Sequence, residues 1–109
     1  MRLTLVPVLV AAVFTGQSAL AASPSFNCAK ATQEAEQIIC QDAELASLDR
    51  SLSRLYAVVL KNTPARDQRV LKAEQRGWMK GRNDCWKSSD ARGCILGAYQ
   101  DRIAELKDR

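Results

Sequence analysis

The sequence predicts an all-α fold, a small disulfide-stapled array of about four helices. Three observations carry this. Beyond the first 21 residues, apolar positions recur at helical spacing, and the β-branched pairs Ile38-Ile39 and Val58-Val59 fall inside helical periods. Cap and breaker residues stand in front of each apolar stripe. The chain has four cysteines and no histidine, and it opens with the pattern of an export signal, which makes disulfides the default state of those thiols.

Arg2 supplies the positive start of that signal, an apolar run follows from Leu3 to Phe14, and Ala19-Leu20-Ala21 places small residues where a signal peptidase reads them. Residues 1–21 are therefore expected to be a signal peptide and residues 22–109 the mature domain, with a cut before Ser23 nearly as well supported. Gly16, Gln17 and Ser18 end the apolar run short of the ~20 residues a membrane span needs. No integral membrane span is expected in the mature chain, and no lipoprotein signal precedes Cys28. These features place the protein in the periplasm or outside the cell.

Within the mature part, Thr32 is expected to cap a short helix over 33–40, with Glu34 and Glu36 in its favourable first turn. Asp42 caps a second helix whose stripe runs Leu45, Leu48, Leu52, Leu55, Tyr56 and Val59, and Asn62-Thr63-Pro64 ends it. Pro64 suits the first turn of a third helix. Its stripe is Leu71, Trp78 and Cys85, with Glu74, Gln75 and Arg82 interleaved. Gly77 and Gly81 either weaken this helix, by ~1 kcal/mol each relative to Ala, or allow a close helix contact. Ser88-Ser89-Asp90 is a turn and cap. The last helix carries Ile95, Ala98, Tyr99, Arg102, Ile103 and Leu106. Helices two and three are expected to meet through their stripes, burying Leu48, Leu52, Leu55, Leu71 and Trp78, with Trp78 more buried than Trp86.

Four cysteines allow three pairings. Local geometry favours Cys28–Cys40 and Cys85–Cys94. The turn at 88–90 brings the ends of helices three and four together, and residues 28–32 can run back along a helix of about eight residues, ~12 Å long. Each bridge is expected to contribute ~2–3 kcal/mol. A zinc site would need closely spaced cysteine pairs, which the chain lacks, and a redox centre would need Cys-x-x-Cys or a lone reactive thiol.

Composition also bounds the chemistry. Without histidine, Ser-His-Asp and Cys-His catalysis are excluded, and there is no glycine-rich phosphate loop. No constellation offers both a nucleophile and a base, so neither an enzymatic activity nor a cofactor is expected. Removing Arg2 leaves 15 basic against 12 acidic residues, a balance of +3 without a contiguous basic block. Nucleic-acid binding is not supported. Two charges sit on apolar stripes. Asp49 lies between Leu45 and Leu52, and Arg82 between Trp78 and Cys85. A buried lone charge is costly, so Asp49 and Arg82 are expected to form a structural ion pair within hydrogen-bond reach, bridging helices two and three.

Phe26-Asn27-Cys28, Ile39-Cys40-Gln41-Asp42-Ala43-Glu44-Leu45, Leu48-Asp49 and Tyr56 resemble the first half of the LprI lysozyme-inhibitor N-terminal domain family. Gln75-Arg76-Gly77-Trp78, Arg82, Cys85, Cys94 and the Tyr99, Arg102-Ile103, Leu106 tail resemble its second half. The resemblance spans nearly all of the mature chain. It implies a protein that binds a partner, a lysozyme-type muramidase, without catalysis. A chain at +3 gets no long-range steering toward a basic lysozyme, so the contact would be a local acidic or shape-matched patch. Gln41, Asp42 and Glu44 are the candidate partner-binding residues, with the 62–68 loop as a second candidate. The alternative is a periplasmic structural or adaptor module contacting envelope polymer or another envelope protein.

Overall fold

A computed structural model describes residue 4 and residues 23–109; the expected signal segment and its cleavage point otherwise lie outside the described residues. Four helices follow in order: α1 (Glu34–Cys40), α2 (Ala43–Asn62), α3 (Ala65–Asn83) and α4 (Ala91–Lys107). Short 3-10 turns at Cys28–Lys30 and Asp84–Lys87 precede α1 and α4. Among the described residues there is no strand, and no helix is long and apolar enough to cross a membrane.

The helix starts follow local chemistry. Asp42 accepts the Leu45 N–H at 3.1 Å and Asp90 accepts the Gly93 N–H at 2.9 Å, each using a carboxylate to satisfy an unpaired first-turn donor. At α1 the cap is Gln33 and not Thr32: the Glu36 side chain reaches back to the Gln33 N–H at 3.2 Å, which sets the helix start one residue later. Pro64 stands immediately before α3, and Gln68 ties the corner by donating to the carbonyls of Leu60 and Thr63, both at 3.1 Å. Residues 62–68 are therefore a tight corner with Thr63 and Pro64 between two helices, not a loop. α3 ends at Asn83, and Cys85 rides on the 3-10 turn that follows.

The core comprises Ala35 and Ile39 of α1, Leu45, Ala46 and Leu52 of α2, Leu71 of α3, Cys85, and Ile95, Tyr99 and Leu106 of α4. Leu48, Leu55 and Trp78 pack against it half-buried, so three of the five expected core residues lie at its rim. Trp78 is more enclosed than Trp86, which is 52% exposed. The expected α2–α3 seam is not the main contact: α2 packs chiefly on α4, and α3 packs on α4 and against α1. The reason lies in α4. Its residues Ile95, Tyr99, Arg102 and Leu106, spaced four, three and four apart, are all buried and form one apolar-and-polar stripe that both α2 and α3 pack against. Gly77 and Gly81 are not at a close contact; a Cβ at either would meet nothing within 4 Å. Gly93 differs, because a Cβ there would fall 2.2 Å from the capping carboxylate of Asp90.

The cysteines join as Cys28–Cys40 and Cys85–Cys94, with Cα separations of 5.9 and 5.5 Å. The first bridge fastens the segment before α1 to the end of that helix. The second joins the turn after α3 to the first turn of α4.

Candidate functional site

Two polar assemblies stand out. One is internal. Asp49 on α2 and Arg82 on α3 are both nearly buried, with Asp49 Oδ1 and Arg82 Nη1 3.9 Å apart. The expected ion pair between α2 and α3 is therefore present, but at this separation the two groups do not hydrogen-bond directly as expected. The Tyr99 hydroxyl of α4 stands between them, donating to Asp49 Oδ1 at 2.7 Å and accepting from Arg82 Nη1 at 2.9 Å. Asp49 and Arg82 thus form an ion pair between α2 and α3, and the hydroxyl of α4 joins both partners. The other oxygen of Asp49 accepts from the Ser25 N–H and the Ser25 hydroxyl, both at 2.6 Å. Arg82 donates through Nη2 to Asn83 Oδ1 at 2.8 Å, and its guanidinium lies 5.6 Å from the Trp78 ring centroid and 5.9 Å from that of Phe26. Trp78 donates its indole N–H to the Ala98 carbonyl at 2.9 Å and stands edge-on to Tyr99, with ring centroids 5.0 Å apart. Burial, opposed by Arg82 and reinforced by the bond to Asp49, pushes the Tyr99 phenol well above its usual range.

Sequence reasoning missed Tyr99, Ser25 and a second buried pair, in which Arg102 donates to Gln75 Oε1 at 2.9 Å. A signal existed for two of them. Tyr99 and Arg102 share a stripe with Ile95 and Leu106, and a buried phenol or guanidinium requires a polar partner. Among the fully buried side-chain nitrogens and oxygens of the described residues, Arg102 Nη2 alone lacks a hydrogen-bond partner. The arrangement is that of a folding lock: it fixes where α2, α3, α4 and the leading segment meet.

The second assembly is on the surface, at the α1–α2 corner. Gln41 follows the bridged Cys40 and is exposed, and Glu44 opens α2 with its carboxylate exposed. Arg92, from the first turn of α4, is also present at this corner. It donates through Nε to Asp42 Oδ2 at 2.6 Å and through Nη2 to Glu44 Oε1 at 2.6 Å. The hydrogen bond from Arg92, then the bond from the Leu45 N–H, hold the Asp42 carboxyl below the usual carboxylate range. The structure thus brings Gln41, Asp42 and Glu44 together, but the expected acidic patch is a mixed-charge corner in which one guanidinium answers two carboxylates. Arg92 could not be read from sequence because its partners lie 48 and 50 residues away. Among the described residues, no three His, Cys, Asp or Glu side chains converge on a metal-holding position.

A family model described as "Lysozyme inhibitor LprI" matches residues 28–106. The protein named Lipoprotein LprI in Mycobacterium bovis is 35% identical over 85 residues, as is that of Mycobacterium tuberculosis strain H37Rv. Each match covers 78% of this chain and 42% of the relative, so the chain spans under half the length of these relatives. No solved structure matches. The matched stretch runs from the first bridged cysteine, Cys28, to the last core residue of α4, Leu106, and therefore takes in both disulfides, all four helices and the Asp49–Tyr99–Arg82 lock: the chain belongs to the LprI lysozyme-inhibitor family.

Proposed function

We propose that this protein is an exported binding protein of the bacterial envelope or its surroundings, which inhibits a lysozyme-type muramidase by surface contact without turnover. Family membership carries the reading, since the match runs from Cys28 to Leu106. The α1–α2 corner is the proposed contact. Its backbone is held from both sides, by the Cys28–Cys40 bridge and by the Arg92 clamp on Asp42 and Glu44. A surface rigid before contact loses little conformational entropy on binding, which favours affinity from a small area. Gln41 offers both hydrogen-bond polarities, while Glu44 and Arg92 supply one charge of each sign. Contact of this kind depends on local shape and pairing, in keeping with a nearly balanced mature chain.

The test is a cell-wall lysis assay across several lysozyme types, comparing oxidised protein, reduced protein and the variants Gln41→Ala and Glu44→Ala. Slowed lysis by the oxidised form, weakened in the corner variants, is the expected outcome. If the oxidised protein slows none of the enzymes at micromolar excess, inhibition is refuted. If the corner variants inhibit as well as the parent, the contact lies elsewhere.

A further inference from the structure

The outer face of α3 carries a charge pattern that neither the lock nor the corner uses. Arg69, Lys72, Arg76 and Lys80 are all exposed and recur at intervals of three, four and four. At ~100° per residue they fall within an arc of about 80° and form a row about 16 Å long. Neighbours in the row stand ~5–6 Å apart at Cβ. None of the four makes an ion pair among the described residues. The acids of α3 are on another flank and engaged elsewhere: Asp67 pairs with Arg66, and Glu74 with Arg109. Four adjacent cations repel one another, and no ion pair among the described residues offsets that repulsion.

We infer that this face is a docking surface for a linear phosphate-bearing polymer of the cell envelope, independent of the muramidase reading. Charge complementarity selects the occupant. A membrane-surface helix needs an apolar face to insert beneath its cations, and the apolar face of α3, with Leu71 and Trp78, is already committed to the domain. The exposed apolar residues Val70 and Met79 lie on opposite sides of the row and provide no common insertion face. A protein interface would be expected to centre on an aromatic or apolar anchor, which the row lacks. A single file of regularly spaced guanidinium and ammonium groups suits a chain that carries an anion at each repeat, with the arginines able to grip two oxygens of one phosphate.

The test uses the oxidised exported protein and long-chain inorganic polyphosphate as the probe, with affinity measured from low to moderate salt. By analogy with single-stranded polyanions, four neutralised phosphates predict roughly 50-fold weaker binding between 50 and 200 mM salt. The row variant combines Arg69→Gln, Lys72→Gln, Arg76→Gln and Lys80→Gln. A control with the same net charge combines Lys30→Gln, Arg54→Gln, Lys61→Gln and Lys107→Gln, all exposed and off the row. Circular dichroism and melting temperature verify that both variants fold. The row variant should lose binding by at least about tenfold and most of the salt dependence, while the control changes by less than about threefold. Equal loss in both variants would reduce the effect to net charge and overturn the inference. Absence of polyphosphate binding, or capture by anionic phosphatidylglycerol vesicles in its place, would also overturn it.

Discussion

Replacing Tyr99 with Phe removes one oxygen from the centre of the molecule and leaves the ring in place. That oxygen makes two hydrogen bonds to charged groups, Asp49 and Arg82. Bonds of this class contribute about 1.5–3 kcal/mol each. Some of that survives: Asp49 keeps both bonds from Ser25, Arg82 keeps Asn83, and their mutual attraction across 3.9 Å remains. The expected net loss is therefore about 2–4 kcal/mol, equivalent to roughly 10–25 °C in melting temperature for a domain of this size. Thermal unfolding of the oxidised protein at neutral pH, followed by circular dichroism, measures it directly. A fall of less than ~4 °C would show that the hydroxyl does not hold the two charges, and the lock would have to be abandoned. A pH series provides a second readout. The folded-state phenol is raised above its unfolded value, so its contribution is fully present below about pH 10, the ordinary phenol range. It is lost as pH climbs through the folded value. Tyr99→Phe should remove that component of alkaline destabilisation.

Further outcomes follow from other parts of the structure. Asp49→Ala alone should cost about 3–5 kcal/mol, and Asp49→Ala combined with Arg82→Met should cost less, because the single change strands a buried cation; a denaturant-melt cycle with no coupling would contradict this. Gly77→Ala and Gly81→Ala should each stabilise α3 by up to ~1 kcal/mol, since nothing stands within 4 Å of the new methyl. Gly93→Ala should give no gain or a loss, because its Cβ displaces the Asp90 cap, whose removal costs about as much as the helix propensity returns; chemical denaturation of all three decides. In Arg92→Ala the Asp42 carboxyl should titrate nearer its ordinary value, as followed by NMR. The sign is fixed by the lowered folded-state value: the stabilisation is present above the ordinary carboxylate range and lost as pH falls through the folded one. An unchanged Asp42 titration would mean that the clamp is not formed in solution.

What could be read from sequence was what short stretches of chain decide. Asp42, Pro64 and Asp90 bounded three helices through first-turn chemistry, and both bridges lie within 12 residues of chain. What could not be read was the packing partner of each stripe. Periodicity tells which side of a helix is buried, not which helix covers it, so α2 was matched to α3 when α4 takes that place. The Asp49–Arg82 ion pair was legible because each charge sits on an apolar stripe, but the Tyr99 hydroxyl that joins the two comes from α4, 50 residues beyond Asp49, and was not. At the corner, Gln41, Asp42 and Glu44 were legible from their adjacency, whereas Arg92 arrives from the last helix and changes the patch from acidic to balanced.

The placement of the bridges has a mechanical consequence. Each closes a small ring, 12 and nine residues in sequence separation, and neither includes any residue of α2. Stretched end to end, the oxidised chain from residue 23 to residue 109 would be only about a fifth shorter than the reduced one. Pulling at the two termini should therefore release α2 from α4 and extend nearly the whole contour with both rings intact. Resistance to force resides in the non-covalent α2–α4 contact, and a single-molecule trace should show similar rupture forces before and after the bridges are opened, differing chiefly in the length released.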